Sequence, residues 1–527
     1  MKSVTNAQHS FAQVPHANIQ RSSFNRSCGW KGTMDSGYLV PILVDEVLPG
    51  DTFNHRSTLF GRMATPIYPL MDNMFLETFF FAVPYRLLYE NWERLMGEQD
   101  NPSDSTDFIL PTSTAPVGGY AEESLQDYMG LPTKIEGFEH NTLHMRAYNL
   151  IYNEWFRDQN LQDSVTVDKG DGPDDPANYT LLRRGKRHDY FTSALPWPQK
   201  GAAVEVPLGQ TAPVVAADGV NWYTTPNSNP VAFGNYFNDA TNTQQVQQQN
   251  LGSSSQQQIN PSMVADLTSA TAATINQLRE AFQIQKMYER DARGGTRYTE
   301  IIKSHFGVTS PDARLQRPEF LGGGSVPINI NPVQQTSDLD SVGGTGTVGT
   351  LGAQATVMAN NHGFTKSFTE HCVIIGLANV RADLTYQQGL NRMWSRSDRF
   401  DFYFPALAHL GEQEVLNKEL MTQGTAGGTA DDEIFGYHER YAEYRYKPST
   451  IHGQFRSNAA TPLDAWHLSQ DFATLPTLSP EFIEDNPPVD RVIATPSEPQ
   501  FIMDIFHKTI AARPMPLFGV PGNIDRF

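Results

Sequence analysis

The sequence predicts a mainly β protein, a single closed antiparallel body of jelly-roll type from which large helical and loop insertions project. Three observations carry that reading. The run Phe79-Phe80-Phe81-Ala82-Val83 is continuously apolar, as a strand covered on both faces must be, and it is too short to cross a membrane. Strong strand patterns lie toward both ends of the chain, at 38–47, 370–380 and 501–509, while the middle is interrupted by polar stretches. Two halves that interleave in one barrel, with the middle bulging out, satisfy that arrangement. Finally, 40 Gly and 35 Pro among 527 residues fit many short elements joined by turns.

The length allows about three domains, or one core with large insertions, since a single core stops growing near about 250–300 residues. Composition suggests four segments: a basic arm at 1–34, the first part of the body with helical insertions at 35–209, a low-complexity surface insertion at 210–262, and the remaining insertions and body at 263–527. Lys and Arg number 39 against 58 Asp and Glu, a net charge of −19 that repels a polyanion at long range. Any nucleic-acid contact is therefore local or mediated by a basic partner. Cys28 and Cys372 are too few and too far apart for a disulfide framework or a cysteine zinc site, and no secretory signal or membrane-inserting run is visible. The reading is a chain made and kept in a reducing cytoplasm.

Taken in order, residues 1–34 contain no acid, carry Lys2, Arg21, Arg26 and Lys31, and lack hydrophobic periodicity. They read as a disordered terminus that happens to be basic, or as an arm lying near phosphate or over a neighbouring subunit. A strand at 38–47, a tight turn at Pro49-Gly50-Asp51 and a return from Thr52 follow, so two or three strands precede the apolar run. After that run Pro84 suits the first turn of a helix, and Leu87, Leu88, Asn91, Trp92, Leu95 and Met96 recur at helical spacing. Residues 103–130 are loop-like. Met145, Tyr148, Ile151, Tyr152, Trp155 and Phe156 then form the stripe of a second helix. Its start carries His140 and His144, an i, i+4 pair able to hold a metal but without an evident third ligand. Asp168, Asp171, Asp174 and Asp175 invite a calcium reading, yet Gly170 and Tyr179 stand where carboxylates are needed, which leaves a solvated turn.

The segment LLRRGKRHDYFTSALPWPQKG sets Arg183, Arg184, Lys186 and Arg187 beside Tyr190, Phe191 and Trp197. Adjacent cations and aromatics suit single-stranded nucleic acid, through phosphate neutralisation and base stacking; the alternative is a set of salt bridges between subunits beside a strand edge. Residues 209–263, with TNTQQVQQQNLGSSSQQQ, cannot bury enough surface to offset ordering and read as an exposed insertion. A helix over 274–293 ends at Gly294-Gly295, and a shorter one through Tyr298, Ile301, Ile302, His305 and Phe306 stops at Gly307. The stretch VPININPV alternates as one strand with a wet face. Gly344, Gly346 and Gly349 satisfy G-x-G-x-x-G, but without a preceding strand or following helix they read as a Gly/Thr loop. Strands resume at 370–380, 491–494 and 501–509.

The run IQKMYERDARGGTRYTEIIKSHFGVTSPDARLQRPEFLGGGS, residues 284–325, resembles the signature segment of the major capsid protein of gokushoviruses, small bacteriophages of the microvirus family. VPILVDEVLPGDTF, MRAYNLIYNEWFRDQNLQDS, GLANVRADLTYQQGL, FYFPALAHLGEQEVLNKE, ERYAEYRYKPS and RPMPLFGVPGNIDRF resemble it too. The match runs from about residue 20 to Phe527, with departures concentrated at 211–262. The resemblance implies an eight-stranded viral jelly roll, sixty copies of which form a T=1 shell, by way of pentamers, around circular single-stranded DNA. It implies as partners a small basic DNA-packaging protein, an internal scaffolding protein, a DNA pilot protein and a host surface receptor. The places implied are the virion and, during assembly, the bacterial host cytoplasm, with no membrane insertion. On this reading Arg21, Arg26, Lys31, Arg183, Arg184, Lys186 and Arg187 are candidate contacts for DNA or the packaging protein. Trp222, Tyr223, Gln244, Gln249 and Gln256 are candidate host contacts. No catalytic, cofactor or metal residues are expected, and G-x-S-x-G, H-E-x-x-H and G-x-x-x-x-G-K-S/T are absent. The alternative function is a jelly-roll carbohydrate-binding or carbohydrate-cleaving protein using Trp197, Trp222 and Tyr223 as sugar platforms. A fibre-like adhesin would show internal repeats, and none is visible.

Overall fold

Strict alternation of buried and exposed side chains along Thr52–Met63 and Phe501–Arg513 makes two long strands with one wet face each. These strands anchor a body of two antiparallel sheets in the computed structural model, which describes residues 20–201, 214–216, 233–238, 243–248, 263–265, 275–336 and 349–518. In chain order the body strands are β1 (Ser22–Asn25), β2 (Cys28–Met34), β3 (Val40–Val47), β4 (Thr52–Met63), β5 (Met74–Pro84), β6 (Glu319–Pro327), β7 (Asn329–Gln334), β8 (Leu351–Ser367), β9 (Cys372–Ala382) and β10 (Phe501–Arg513). The six-strand sheet runs β1, β10, β4, β8, β7, with β2 also paired to β10; the four-strand sheet runs β6, β5, β9, β3.

The apolar run 79–83 lies in the four-strand sheet, and the structure supplies the reason for its continuity. One face of that sheet meets the other sheet, through Ile42, Leu59, Leu76, Val357, Val380, Phe501, Met503 and Ile505 in one cluster and Phe53, Phe80, Phe364 and Ile374 in another. The opposite face, with Phe81, Val83, Val373 and Ile375, is covered by α1 (Leu143–Ile151) and its π-helical extension Tyr152–Phe156. Tyr148, Ile151 and Tyr152 of the predicted stripe are buried there.

The two sheets also meet along a glycine edge. β6 carries Gly322, Gly323 and Gly324, with a register shift between Phe320 and Gly322. A Cβ on Gly322 would stand 2.6 Å from the carbonyl oxygen of Gly363 in β8, and one on Gly323 would overlap the carbonyl oxygen of Thr78. Only glycine lets the backbones approach so closely. From this edge the chain changes sheets at Ile328, so the single strand expected from VPININPV is two: Val326 and Pro327 end β6 on β5, while β7 pairs with β8. The amide of Ile328 donates to the Met74 carbonyl at 2.8 Å, its side chain is buried, and Val326 and Ile330 pack on the same core. The alternation persisted across the corner because both halves face one interior.

Between the sheets runs a buried hydrogen-bonded chain. His55 Nδ1 meets Thr509 Oγ1 at 2.7 Å, His55 Nε2 meets Ser57 Oγ at 2.9 Å, Ser57 Oγ meets His507 Nδ1 at 2.9 Å, and His507 Nε2 meets the Ile42 carbonyl at 2.9 Å. A carbonyl only accepts, and burial holds both imidazoles neutral, so each role follows from the last bond backwards. His507 donates from Nε2 and accepts from Ser57, Ser57 accepts from His55, and His55 accepts from Thr509.

Further expectations differ from the structure. The chain from 22 to 34 is not an arm but β1 and β2, paired with β10; four strands, not two or three, thus precede β5. The helix expected after Pro84 is only a 3-10 turn at Tyr85–Leu87 and a single turn at Trp92–Leu95. Leu88 and Tyr89 are drawn into the core, and the Tyr89 hydroxyl donates to Asp171 at 2.7 Å, which holds the chain in turns. Residues 489–491 form a 3-10 turn behind Pro487 and Pro488, leaving only a bridge from Ile493 to Pro66 where a strand was expected. Finally, β8 was not anticipated at all.

By compactness the chain divides into one unit of Met1–Pro198 with Gly294–Phe527 and a second of Gln199–Arg293. Within the second, Val214–Ala216 pairs with Met263–Ala265 and Phe233–Asn238 with Thr243–Gln248, and α2 (Ile275–Gly294) follows the predicted helix. Trp222, Tyr223, Gln249 and Gln256, the side chain of Gln244, residues 1–19 of the arm, and Gly344 and Gly346 lie outside the described residues. In the first unit α3 (Tyr298–Phe306) stops at Gly307, whose φ of 69° is the left-handed stop expected of it.

Candidate nucleic-acid interface

The basic segment at 183–187 runs beside the four-strand sheet, against the buried Glu77 of its inner strand β5. Arg184 and Arg381 both pair with Glu77; Arg187 lies 3.6 Å from it and 3.1 Å from Asp383. Burial pushes the Glu77 carboxyl up, but Arg184 and Arg381 outweigh it and hold it below the ordinary range. The Arg183 guanidinium stacks on Tyr38 at 4.0 Å and donates to the Asn486 side chain at 3.0 Å. Lys186 Nζ donates to the Phe482 carbonyl at 2.6 Å; its burial lowers the amine while Asp485 and Asp189 act against that. Burial raises Asp485 to about 6, against Lys186 and the nearby arginines. All four cations are thus tied down within one chain. The ion pairs that this segment makes within the chain are with Glu77 and Asp383.

The N-terminal cations lie along β1 and β2, beside β10. Arg21 donates to Thr52 Oγ1 at 2.8 Å, Arg26 pairs with Asp45 at 2.7 Å, and Lys31 lies 3.6 Å from Asp504 with both side chains well exposed. Arg26 is half-buried, whereas Lys31 stays free to reach solvent.

The histidine pair does not form a metal site. His140 sits in a short strand, Glu139–Asn141, donates from Nδ1 to the Asn141 carbonyl at 3.1 Å and accepts from the Tyr120 hydroxyl at 2.7 Å, while His144 lies 3.5 Å from Glu46. Among the described residues no group of three or more His, Cys, Asp or Glu could hold a metal ion. Asp168, Asp171 and Asp175 of the acidic run are exposed, as a solvated turn requires, but Asp174 departs from that reading. Asp174 is buried and accepts from Arg146 Nε at 2.8 Å and Nη2 at 2.5 Å, and from the Tyr179 hydroxyl at 2.5 Å. Sequence spacing missed this because the two partners are far apart along the chain and meet only through the fold.

A cavity of about 420 Å³ is lined by Tyr190, Tyr386, Arg392, Trp394, Glu419 and Glu443 among others. Its two carboxylates are each held by an arginine, Glu419 by Arg392 at 2.8 Å and Glu443 by Arg396 at 3.3 Å. A pair of groups with one free acid and one free base, as glycoside cleavage requires, is not what this arrangement offers. Trp197, the sugar platform weighed in the described part of the chain, is half-buried in a turn.

The profile of a family described as capsid protein (F protein) matches residues 12–523. The chain belongs to this family. Among relatives, capsid protein VP1 of Bdellovibrio phage phiMH2K is 49% identical over 99% of this chain and 98% of its own length. Capsid protein VP1 of Chlamydia phage 1 is 43% identical, with 97% of each chain covered, and that of Spiroplasma virus 4 is 38% identical over 98% of this chain and 97% of its own. These are capsid proteins of the gokushovirus type, so the resemblance read from 284–325 holds along the whole chain. As a major capsid protein the molecule associates with itself in a shell and resides in the virion. Membership in a family of structural proteins weighs against a catalytic role. No described helix is long and apolar enough to cross a membrane.

Proposed function

We propose that this capsid protein folds as one eight-stranded jelly roll with insertions, and that sixty copies close a T=1 shell around circular single-stranded DNA. The observation that carries the reading is similarity to phage VP1 capsid proteins over at least 97% of both chains. The strand order supports the jelly roll: β3, β4 and β5 alternate between the sheets, and β9 returns from far along the chain to lie between β3 and β5. Assembly runs through pentamers in the host cytoplasm with an internal scaffolding protein and a DNA pilot protein. With a net charge of −19, most genome neutralisation falls to a small basic packaging protein. Arg21, Arg26 and Lys31 supply local contacts, to which Arg183, Arg184, Lys186 and Arg187 add only what their in-chain partners leave.

The 210–262 insertion projects from the shell, three copies meeting at each threefold axis to contact a host receptor. The test of the enclosed genome is enzymatic. Nucleic acid extracted from nuclease-treated particles should be destroyed by a single-strand endonuclease and resist exonucleases; double-stranded or absent nucleic acid overturns the proposal.

A further inference from the structure

The outward face of the six-strand sheet carries a combination that its own fold does not explain. Along β4 the outward residues are Asn54, Arg56, Thr58, Phe60 and Arg62; along β10 they are Ile502, Asp504, Phe506, Lys508 and Ile510. Register places Lys508 directly opposite Arg56, Phe506 opposite Thr58, Asp504 opposite Phe60 and Ile502 opposite Arg62, while Met358 of β8 flanks Phe60 on its other side. Phe60 is 46% exposed, Phe506 51% and Met358 60%. Arg56, Arg62 and Lys508 are exposed and make no ion pair or side-chain hydrogen bond among the described residues, in contrast to the tied cluster at 183–187. The one acid on this face of the two strands, Asp504, already faces Lys31.

Two features here oppose stability of the isolated chain. Like charges directly opposite across a strand pair repel, and large apolar side chains grouped on a wet sheet face mark a surface that something else covers. A polyanion with flat apolar rings relieves both at once. A basic protein would add to the repulsion. A second copy of this acidic chain would have to bring a complementary acidic patch.

We propose that this face binds single-stranded nucleic acid, with Arg56, Arg62 and Lys508 on phosphates and Phe60 and Phe506 stacked on bases. Arg56 and Arg62 are six residues apart on one strand, roughly 20 Å, with the aromatics between them. A strand of nucleic acid laid along β4 meets cation, ring and cation in turn, the arrangement of sequence-tolerant single-strand binders. The inference rests on the reading that the shell encloses single-stranded DNA and names the surface that touches it.

The test uses purified filled particles and their own packaged genome. Ultraviolet crosslinking followed by peptide mapping of wild-type particles should place DNA adducts in peptides spanning 54–63 and 501–510. In particles of the triple variant R56S/R62S/K508S those adducts should be lost. Genome release on heating should occur at lower temperature and salt, with the salt slope reduced by about two, since each single-strand phosphate contact contributes about 0.7. The variant R56K/R62K should restore release to near the wild-type midpoint. Adducts mapping elsewhere in particles that do hold single-stranded DNA overturn this surface and leave the shell reading intact, whereas particles without single-stranded DNA overturn the reading beneath it. Adducts to a small basic protein in place of DNA, or triple-variant shells that fail to close while wild-type adducts map elsewhere, assign the face to another partner and overturn the proposal. Should the triple variant not fold, the wild-type adduct map decides alone.

Discussion

Among the described residues Arg146 is the largest side chain that the fold buries completely, and its neighbours show why a charge is tolerated there. Asp174 answers it with two hydrogen bonds, and the Leu88 and Gly170 carbonyls accept from Nη1 at 3.1 and 3.0 Å. Burial pushes the Asp174 carboxyl up, but bonds from Arg146 and Tyr179 hold it below the ordinary carboxylate range. Removing one partner leaves the other charge buried and unpaired, which costs about 3–5 kcal/mol. Asp174→Ala should therefore lower stability by about that amount in denaturant melts of the unassembled protein, and a loss below about 1 kcal/mol would show that water reaches Arg146.

The His55–His507 chain sets a second residue-scale expectation, in pH. Burial depresses His55 to about 3, with the His507 imidazole adding to the lowering, and His507 to about 4, against the bond to the Ile42 carbonyl. A base whose folded value is depressed binds its proton more readily when unfolded, so its contribution to stability is complete above about 6.5 and is lost as pH falls toward 4. Asp485, raised to about 6, acts in the opposite direction, favouring the folded state at the acid end of that window and losing the benefit as pH rises through 6. The comparison that isolates the histidine is His507→Gln, which can still accept from Ser57 and donate to Ile42. Its stability should change with pH less steeply between 6 and 4, by about 1.4 kcal/mol per pH unit; equal slopes would contradict the neutral assignment.

At the scale of elements, legibility followed pattern strength. β5 and β9 were readable because burial on both faces writes an unbroken apolar run, and β10 because one wet face writes strict alternation. β8 escaped because its inward residues are small, Ala353, Ala355, Val357 and Ala359 being buried, and a bulge between Ala359 and His362 breaks the period. β1 and β2 escaped because half-buried edge strands rich in Ser, Gly and Asn carry no hydrophobic signal; their partner β10 lies more than 450 residues away in the register Cys28 to His507. The glycine edge predicts its own failure. A Cβ on Gly363 would overlap the His55 carbonyl oxygen, so Gly363→Ala must push β8 off β4. The expected result is a loss of about 2–3 kcal/mol, within the range that a strained core site gives, with soluble yield falling accordingly. Wild-type stability would mean that the bulge absorbs the methyl group.

For the molecule as a whole, composition and a few long sequence runs were enough to reach the family, while the site was legible only in part. The cations at 183–187 stood out in sequence because they are contiguous, yet they serve one chain's interior. Arg56, Arg62 and Lys508 did not stand out, because their proximity exists only in the strand register. The polar insertion is a separate matter of scale. Loop-closure cost rises by only about 0.6 kcal/mol for each doubling of length, so replacing 241–258 by a short Gly-Ser linker should leave shell yield near normal and reduce adsorption to host cells. Failed shells would make the insertion part of the assembly interface, and normal adsorption would remove the receptor role.

The most direct test of the shell itself is electron microscopy of particles purified from infected cells, with the symmetry and copy number determined from the reconstruction. Closed icosahedral particles built from sixty copies of this chain, each with its two sheets packed as described, are the expected result. A reconstruction showing open sheets, helical arrays or a small closed oligomer would contradict the account.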